Sequence, residues 1–246
     1  MKRISICLLL VTLFTVNTAT VKATEKEFYY TTKSGIELTE KEYNYIVTMF
    51  DEHYLDFMNE QDYDVIKKMN VNTNDIEYKI YEPSYIDSRS TTIETNSKKL
   101  AISKSCTGTV CSMTLTNVWK GVPKVKSYDV LGARIGGTTF SADSFVTVFK
   151  FDSGTKVCTE YVKASNGFGC SYKLETGSTT YYSAASFDVN TSGLVTGSYQ
   201  HASKSVTLSV SKNYTFSVNG EGNVFLFNTT KGQDAYDGMS GVSIKV

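Results

Sequence analysis

The 246-residue chain balances 25 Lys and Arg against 25 Asp and Glu, and carries 17 Tyr but only one Trp and two His. Basic residues spread singly through a neutral chain exclude the basic stripe that a nucleic-acid-binding surface needs. Two histidines leave little for a metal centre, and neither stands at ligand spacing from other donors.

Lys2 and Arg3 precede an apolar run from Ile4 to Val16, then small and polar residues ending in Val21 and Ala23. This order predicts a signal peptide over residues 1–23, because the run is too short to span a bilayer. Cys7 would leave with it. The four remaining cysteines, an even number in an exported chain, favour two disulfides. Charge is uneven along the rest: Thr24 to Lys98 holds 16 acidic and 8 basic residues, Lys99 to Val246 holds 9 and 14. No Lys/Arg cluster is dense enough to turn that excess into a polymer-binding surface, so it reads as two solvated faces or as mutual attraction.

Residues 24–86 read as a small hairpin and helix region. Phe28 to Thr32 and Ile36 to Leu38 flank a Ser34-Gly35 turn. Thr39 and Glu42 then form a capping box ahead of a helix whose stripe is Tyr43, Ile46, Val47, Phe50, Tyr54 and Phe57. A shorter helix follows from about Glu60 to Met69, and Ile76, Tyr78 and Ile80 alternate as a strand. Residues 87–98 are polar and read as a linker.

The stretch Lys99 to Trp119 is a hairpin. A type II′ turn at Gly108-Thr109 sets Cys106 opposite Cys111, Ile102 opposite Leu115 and Leu100 opposite Asn117. Cys106 and Cys111 then occupy a non-hydrogen-bonded pair, with Cα atoms roughly 4.5–5.5 Å apart, which a disulfide can bridge. Most apolar residues share one face; Ser103, Ser105, Ser112, Thr114 and Thr116 share the other. Cys158 and Cys170 pair by elimination. A two-residue Asn166-Gly167 turn fits that bond poorly, since it sets Cys170 opposite Lys163 and leaves Cys158 on the other face; either the loop is longer and irregular, or Cys158 pairs elsewhere.

Beyond the hairpin the signals are strands and turns: 125–135, 145–151 (apolar on both faces, hence covered), 156–164, 181–189, 194–201, 206–218 and 242–246. In the 206–218 register Phe216 faces Phe225 and Tyr214 faces Phe227, pairs expected to close the core. The 8–12-residue spacing without helical periodicity predicts an antiparallel β-sandwich, or a barrel-like body, over 99–246.

Recognisable catalytic sets are missing. Asp51-Glu52-His53 has the wrong order for a zinc-binding helix, and there is no G-x-S-x-G. His201 has no partner nameable from sequence. Asp129, Asp143, Asp152, Glu160, Glu175, Asp188, Glu221, Asp234 and Asp237 could supply a glycosidase pair only if two of them faced across a cleft. The cysteines are committed to bridges, so a thiol nucleophile is not expected.

The Ser34-Gly35-Ile36-Glu37-Leu38-Thr39 segment, the following Glu42-Tyr43, and the stretch from Trp119 through Pro123-Lys124-Val125 to Ser127–Arg134 resemble small exported proteins of low-GC Gram-positive bacteria, a group of unassigned function. That resemblance covers about a quarter of the chain and implies export only. The expected protein is a secreted, non-catalytic β-sandwich without cofactor or metal. Its partner would be an extracellular wall polymer, glycan or host protein. A β-pore-forming protein, using Ser103–Thr116 and Ser203–Val218 as amphipathic hairpins, and a carbohydrate-active hydrolase are the alternatives.

Overall fold

The computed structural model describes residues 28–69, 71–81, 98–217, 224–237 and 241–246. The expected signal peptide, the expected linker apart from Lys98, and the Asn219–Gly222 turn lie outside them.

Tyr30–Thr31 (β1) and Glu37–Leu38 (β2) pair across a turn in which Gly35 takes a φ of 84°. Thr39 and Glu42 form the expected reciprocal capping box at the start of α1, Glu40–Met49. The helix stops there and does not run on to Phe57. The Asp51 side chain accepts from the Tyr54 N–H and starts a separate 3-10 turn, Glu52–Asp56, so a local side-chain bond competes with helix propagation. Tyr45, Ile46 and Met49 are therefore the buried stripe, Tyr43 and Val47 are half-buried, and Phe57 is exposed. The second helix, α2 (Glu60–Lys68), is capped by Asn59.

Ile76–Tyr81 (β3) pairs with Lys98–Thr107 (β4), so Lys98 opens a strand and does not end a linker. β4 pairs with Val110–Trp119 (β5) in the expected register, Cys106 to Cys111 and Leu100 to Asn117, with Gly108 at φ 61°. Tyr128–Gly136 (β6) and Phe140–Phe151 (β7) follow. The 156–164 stretch, expected as one strand, is two: Gly154–Val157 (β8) and Tyr161–Ala164 (β9). Then come Gly167–Lys173 (β10), Tyr182–Asn190 (β11) and Leu194–Gln200 (β12). Among the described residues of the expected 206–218 strand, only Tyr214–Phe216 (β13) forms a strand. Thr207 caps a helical turn, α3 (Leu208–Ser211), which withdraws the preceding residues from pairing. Phe225–Phe227 (β14), Thr230–Gln233 (α4) and Val242–Lys245 (β15) complete the order.

Two antiparallel sheets pack face to face, one ordered β3-β4-β5-β11-β7-β8, the other β15-β12-β6-β10-β9. Leu100, Ile102, Met113 and Leu115 from the first sheet meet Leu131, Phe168, Tyr199 and Ile244 from the second in the central core. The expected sandwich is thus the architecture, but it is covered on both outer faces. Outside the first sheet lies the helical layer, against Ala101, Val118 and Tyr182. Outside the second lies the β13–β14 pair, whose Tyr214–Phe227 and Phe216–Phe225 register is as expected. Those rings fill a separate core with Val130 and Tyr236 and do not close the central one.

The polar face of the β4–β5 hairpin is consequently not a solvent face under the helical layer, although Ser112 near the tip is exposed. Ser103 and Thr116 are buried, the Tyr45 hydroxyl meets Ser103 Oγ at 2.8 Å, and Thr116 Oγ1 donates to the Met49 carbonyl at 2.7 Å. Lys99 Nζ donates to the carbonyls of Val47 (2.8 Å) and Phe50 (2.7 Å). These sheet side chains satisfy the carbonyls that a helix C-terminus leaves open. In β7 the expectation of full cover fails at Val146, which is 51% exposed beside the edge strand β8.

The cysteines pair as expected, Cys106 with Cys111 (Cα–Cα 4.0 Å) and Cys158 with Cys170 (6.5 Å). The second bond fits because the turn sits one residue earlier than predicted: Ala164 pairs with Gly167, and Cys170 faces Tyr161. Cys158 still belongs to the first sheet, its N–H donating to the Thr147 carbonyl at 2.8 Å, while Cys170 lies in the second. The bridge therefore joins the sheets where the chain crosses between them. Cys158→Ser is expected to lower stability by about 3 kcal/mol and Cys106→Ser, opening the shorter loop, by about 2 kcal/mol. Urea midpoints in the reverse order would refute this.

Candidate functional site: a buried acid–base cluster

One end of the central core is polar. Alternation along β6 points Asp129 inward with Leu131, Ala133 and Ile135, and alternation along β12 does the same for Tyr199 and, just past the strand, His201. Asp129 is fully buried. Its carboxylate accepts from His201 Nδ1 (2.9 and 3.1 Å), the Ala202 N–H (3.1 Å) and the Tyr199 hydroxyl. Tyr199 in turn accepts from Trp119 Nε1 at 2.9 Å and from the Tyr172 hydroxyl at 3.1 Å. With every neighbour a donor, the histidine proton belongs on Nδ1. The Trp119 ring meets the His201 ring edge-on at 4.7 Å.

A second pair adjoins the first. Lys98 Nζ contacts Asp237 Oδ2, with the lysine side chain 3% and the aspartate 17% exposed. Asp237 Oδ1 accepts from the His201 backbone N–H at 2.9 Å. The lysine ammonium also lies 5.1 Å from the Trp119 ring centroid and 5.6 Å from that of Tyr199. Lys98 pairs with Trp119 across the hairpin, so the register of the first two strands places both.

The other candidates are scattered. Asp152 accepts from Thr179 and Thr180 at a turn, which holds its carboxyl down at about 2. Glu175 holds Lys156 and Ser153, Glu160 holds Lys212, and Asp188 holds Ser112. Asp143 and Asp234 are exposed, and Glu221 lies outside the described residues. His53 sits on the 3-10 turn, mostly exposed and 3.3 Å from Asp56. Asp129 is the carboxylate drawn together with the other histidine, and 72 residues separate them. No periodicity or local motif connects positions so far apart; the inward parity of Asp129 with Leu131 and of His201 with Tyr199 was the available signal. Among the described residues no three metal-ligating side chains converge.

Burial pushes the Tyr172 and Tyr199 phenols above their ordinary value of 10.0, with the Asp129 charge adding to it, and burial raises Tyr182, Tyr214 and Tyr236 as well. Burial also lowers Lys99 from 10.5 to about 8. Between these last two values the unfolded chain binds the extra proton, so stability should rise with pH there. The phenols act oppositely: they stay protonated in the fold, and their contribution is complete below pH 10 and lost as pH climbs above it. Urea midpoints should thus rise from about pH 8, turn over near pH 10 and then fall. Lys99→Met should flatten the rising limb and leave the fall. A midpoint that decreases steadily from pH 8 would contradict the lysine assignment.

No family model matches the chain, and no curated protein does. Among solved structures, the pilus backbone RrgB of Streptococcus pneumoniae superposes at TM-score 0.28 with 12% identity, over 52% of this chain and 31% of that one. The collagen-binding domain of Erysipelothrix rhusiopathiae surface protein RspB gives TM-score 0.34 and 10% identity, over 68% of this chain and 56% of that one. The enzymatically active domain of bacteriophage CBA120 tailspike protein 4 gives 0.23 and 12%, over 52% and 19%. This chain spans under two thirds of each. At such scores the mainly antiparallel β fold rests on the strand pairing itself.

Proposed function

We propose that this is an exported, non-catalytic protein that binds an extracellular ligand, a wall polymer, glycan or host protein, on the surface of a disulfide-stapled β-sandwich. The observation that carries this reading is the enclosure of its best acid–base constellation. Asp129 and His201 are 0% and 4% exposed at the side chain, roofed by the Ala235–Asp237 segment and by Trp119, so no substrate reaches them. A catalytic pair must touch the proton it moves. Asp152, Glu160, Glu175 and Asp188 are engaged by separate partners at separate turns and strands, which does not favour a glycosidase pair. The pore-forming alternative is not favoured for one of its two hairpins, because the described residues of the 203–218 stretch carry α3 and a three-residue strand. Two disulfides fit an oxidising compartment, and the resemblance to exported Gram-positive proteins agrees with it.

The test is a pull-down of the Thr24–Val246 protein on insoluble peptidoglycan, teichoic-acid-bearing walls and mucin, alongside dye-loaded liposomes. Retention on one polymer without dye release is expected. Dye release without retention would replace this reading with the membrane-active one. Glycan turnover abolished by a single Asp or Glu substitution would replace it with the hydrolase.

A further inference from the structure

The Lys98–Asp237 contact has more built around it than a salt bridge requires. The lysine is withdrawn from water and the aspartate is partly so, and aromatic rings of Trp119 and Tyr199 line the lysine. Asp237 is clamped on every polar side: its N–H donates to the His201 carbonyl at 3.0 Å, its carbonyl accepts from Gln200 Nε2 at 3.1 Å, and Oδ1 accepts from the His201 N–H. Only Oδ2 is left to meet the amine. The His201 N–H is itself held in place because the same residue's ring is fixed on buried Asp129.

We propose that Lys98 and Asp237 join covalently, the amine and the carboxyl condensing into an intramolecular amide. In balance, the Lys98 ammonium gives one proton to the Asp237 carboxylate, and its freed lone pair attacks Cγ. The Nζ–Cγ bond forms, the Cγ–Oδ2 bond breaks, and Oδ2 departs as water carrying two of the three ammonium protons. Nothing is oxidised or reduced and no co-reactant enters. The negative charge that develops on Oδ1 falls on the His201 backbone N–H already bonded to it, a fixed donor aimed at the atom where charge grows. Holding the two groups in contact makes the step unimolecular, and the dry surroundings withhold the water that would reverse it. His201, acting through its backbone, is the oxyanion donor, and Asp129 is the residue that positions it. The reaction occurs once per molecule and so stands apart from the ligand binding proposed above.

The molecule supplies its own comparison. Lys150 Nζ also meets an aspartate, Asp62 Oδ2 at 2.6 Å, under the helical layer. There the amine is shared with the Phe57 carbonyl at 2.6 Å, and Oδ2 also accepts the Asn59 N–H at 3.0 Å, so neither the amine nor the oxygen it meets is reserved for the other. That pair should remain an ion pair.

The test is the intact mass of the purified, fully reduced Thr24–Val246 protein, followed by tryptic mapping. The expected mass is that of the sequence less one water. The expected map has no cleavage after Lys98 and one branched peptide joining Lys98 to Asp237. Lys98→Arg and Asp237→Ala should restore the full sequence mass. A wild-type protein of unaltered mass would overturn the proposal, as would a lost water that maps to Lys150 and Asp62 or to any other pair. The wild-type measurement decides even if both variants fail to fold.

Discussion

Asp129→Ala is expected to lower the stability of the protein by about 3–5 kcal/mol, the loss typical when one partner is removed from a buried charged network. The substitution strands three donors that now share one carboxylate: the Tyr199 hydroxyl, His201 Nδ1 and the Ala202 N–H. None can turn to water, because the surrounding residues are sealed in the core. A buried donor left without an acceptor retains its full desolvation cost. The effect should reach beyond the site. Tyr199 holds Trp119 and Tyr172, so the near-ultraviolet signal of the single tryptophan should change along with the urea midpoint. Asp129→Asn keeps the shape and some acceptor capacity and should cost less. A midpoint for Asp129→Ala within experimental error of wild type would mean that the cluster does not hold this end of the sandwich.

Gly132→Ala should be of similar size, about 3 kcal/mol or more, for a steric reason. Gly132 on β6 faces Gly169 on β10, and together they leave a bare patch on the outer face of the five-stranded sheet. The rings of Phe225 and Tyr214 lie down on that patch. A methyl group at residue 132 would be built into the Phe168 carbonyl oxygen, closer than any non-bonded contact, and 2.8 Å from the Phe225 ring. Since the obstacle is backbone of a paired neighbour, no rotamer relieves it. Gly136→Ala, on the same strand, meets nothing nearer than 3.9 Å and should be nearly neutral. Two equally stable variants would show that the β13–β14 pair does not rest on the sheet as described.

What the sequence disclosed follows the range of each interaction. The β4–β5 hairpin was legible in full, because a glycine turn and period-two alternation fix register within twenty residues. The capping box was legible for the same reason. The end of α1 was not: Tyr54 and Phe57 continue an acceptable helical spacing, and only the Asp51 side chain, by taking the Tyr54 N–H, shows where the helix stops. The polar face of the hairpin was read correctly as polar, but its purpose lay elsewhere in the chain, in the carbonyls of Val47, Met49 and Phe50. The β13–β14 pairing was right while its location was not, since alternation says which residues share a face and nothing about which sheet that face meets. For the cluster, Asp129, His201, Lys98 and Asp237 come from four separate segments and meet only after both sheets have closed.

The order of the larger sheet bears on how quickly the protein can be made. β11 lies between β5 and β7, so Tyr182 must find Val118 on one side and Lys150 on the other. A chain emerging N-terminus first can complete the β4–β5 hairpin early, and its tip disulfide can lock it. The open side of β5 then stays unpaired until residues 182–190 have followed. Such distant pairings incur loop-closure entropy before any contact offsets it, which places the protein among the slow folders. During that interval β5 presents a long, mostly apolar strand edge, the kind of surface that recruits strands from other chains. Yield on refolding should therefore depend more on protein concentration than on final stability.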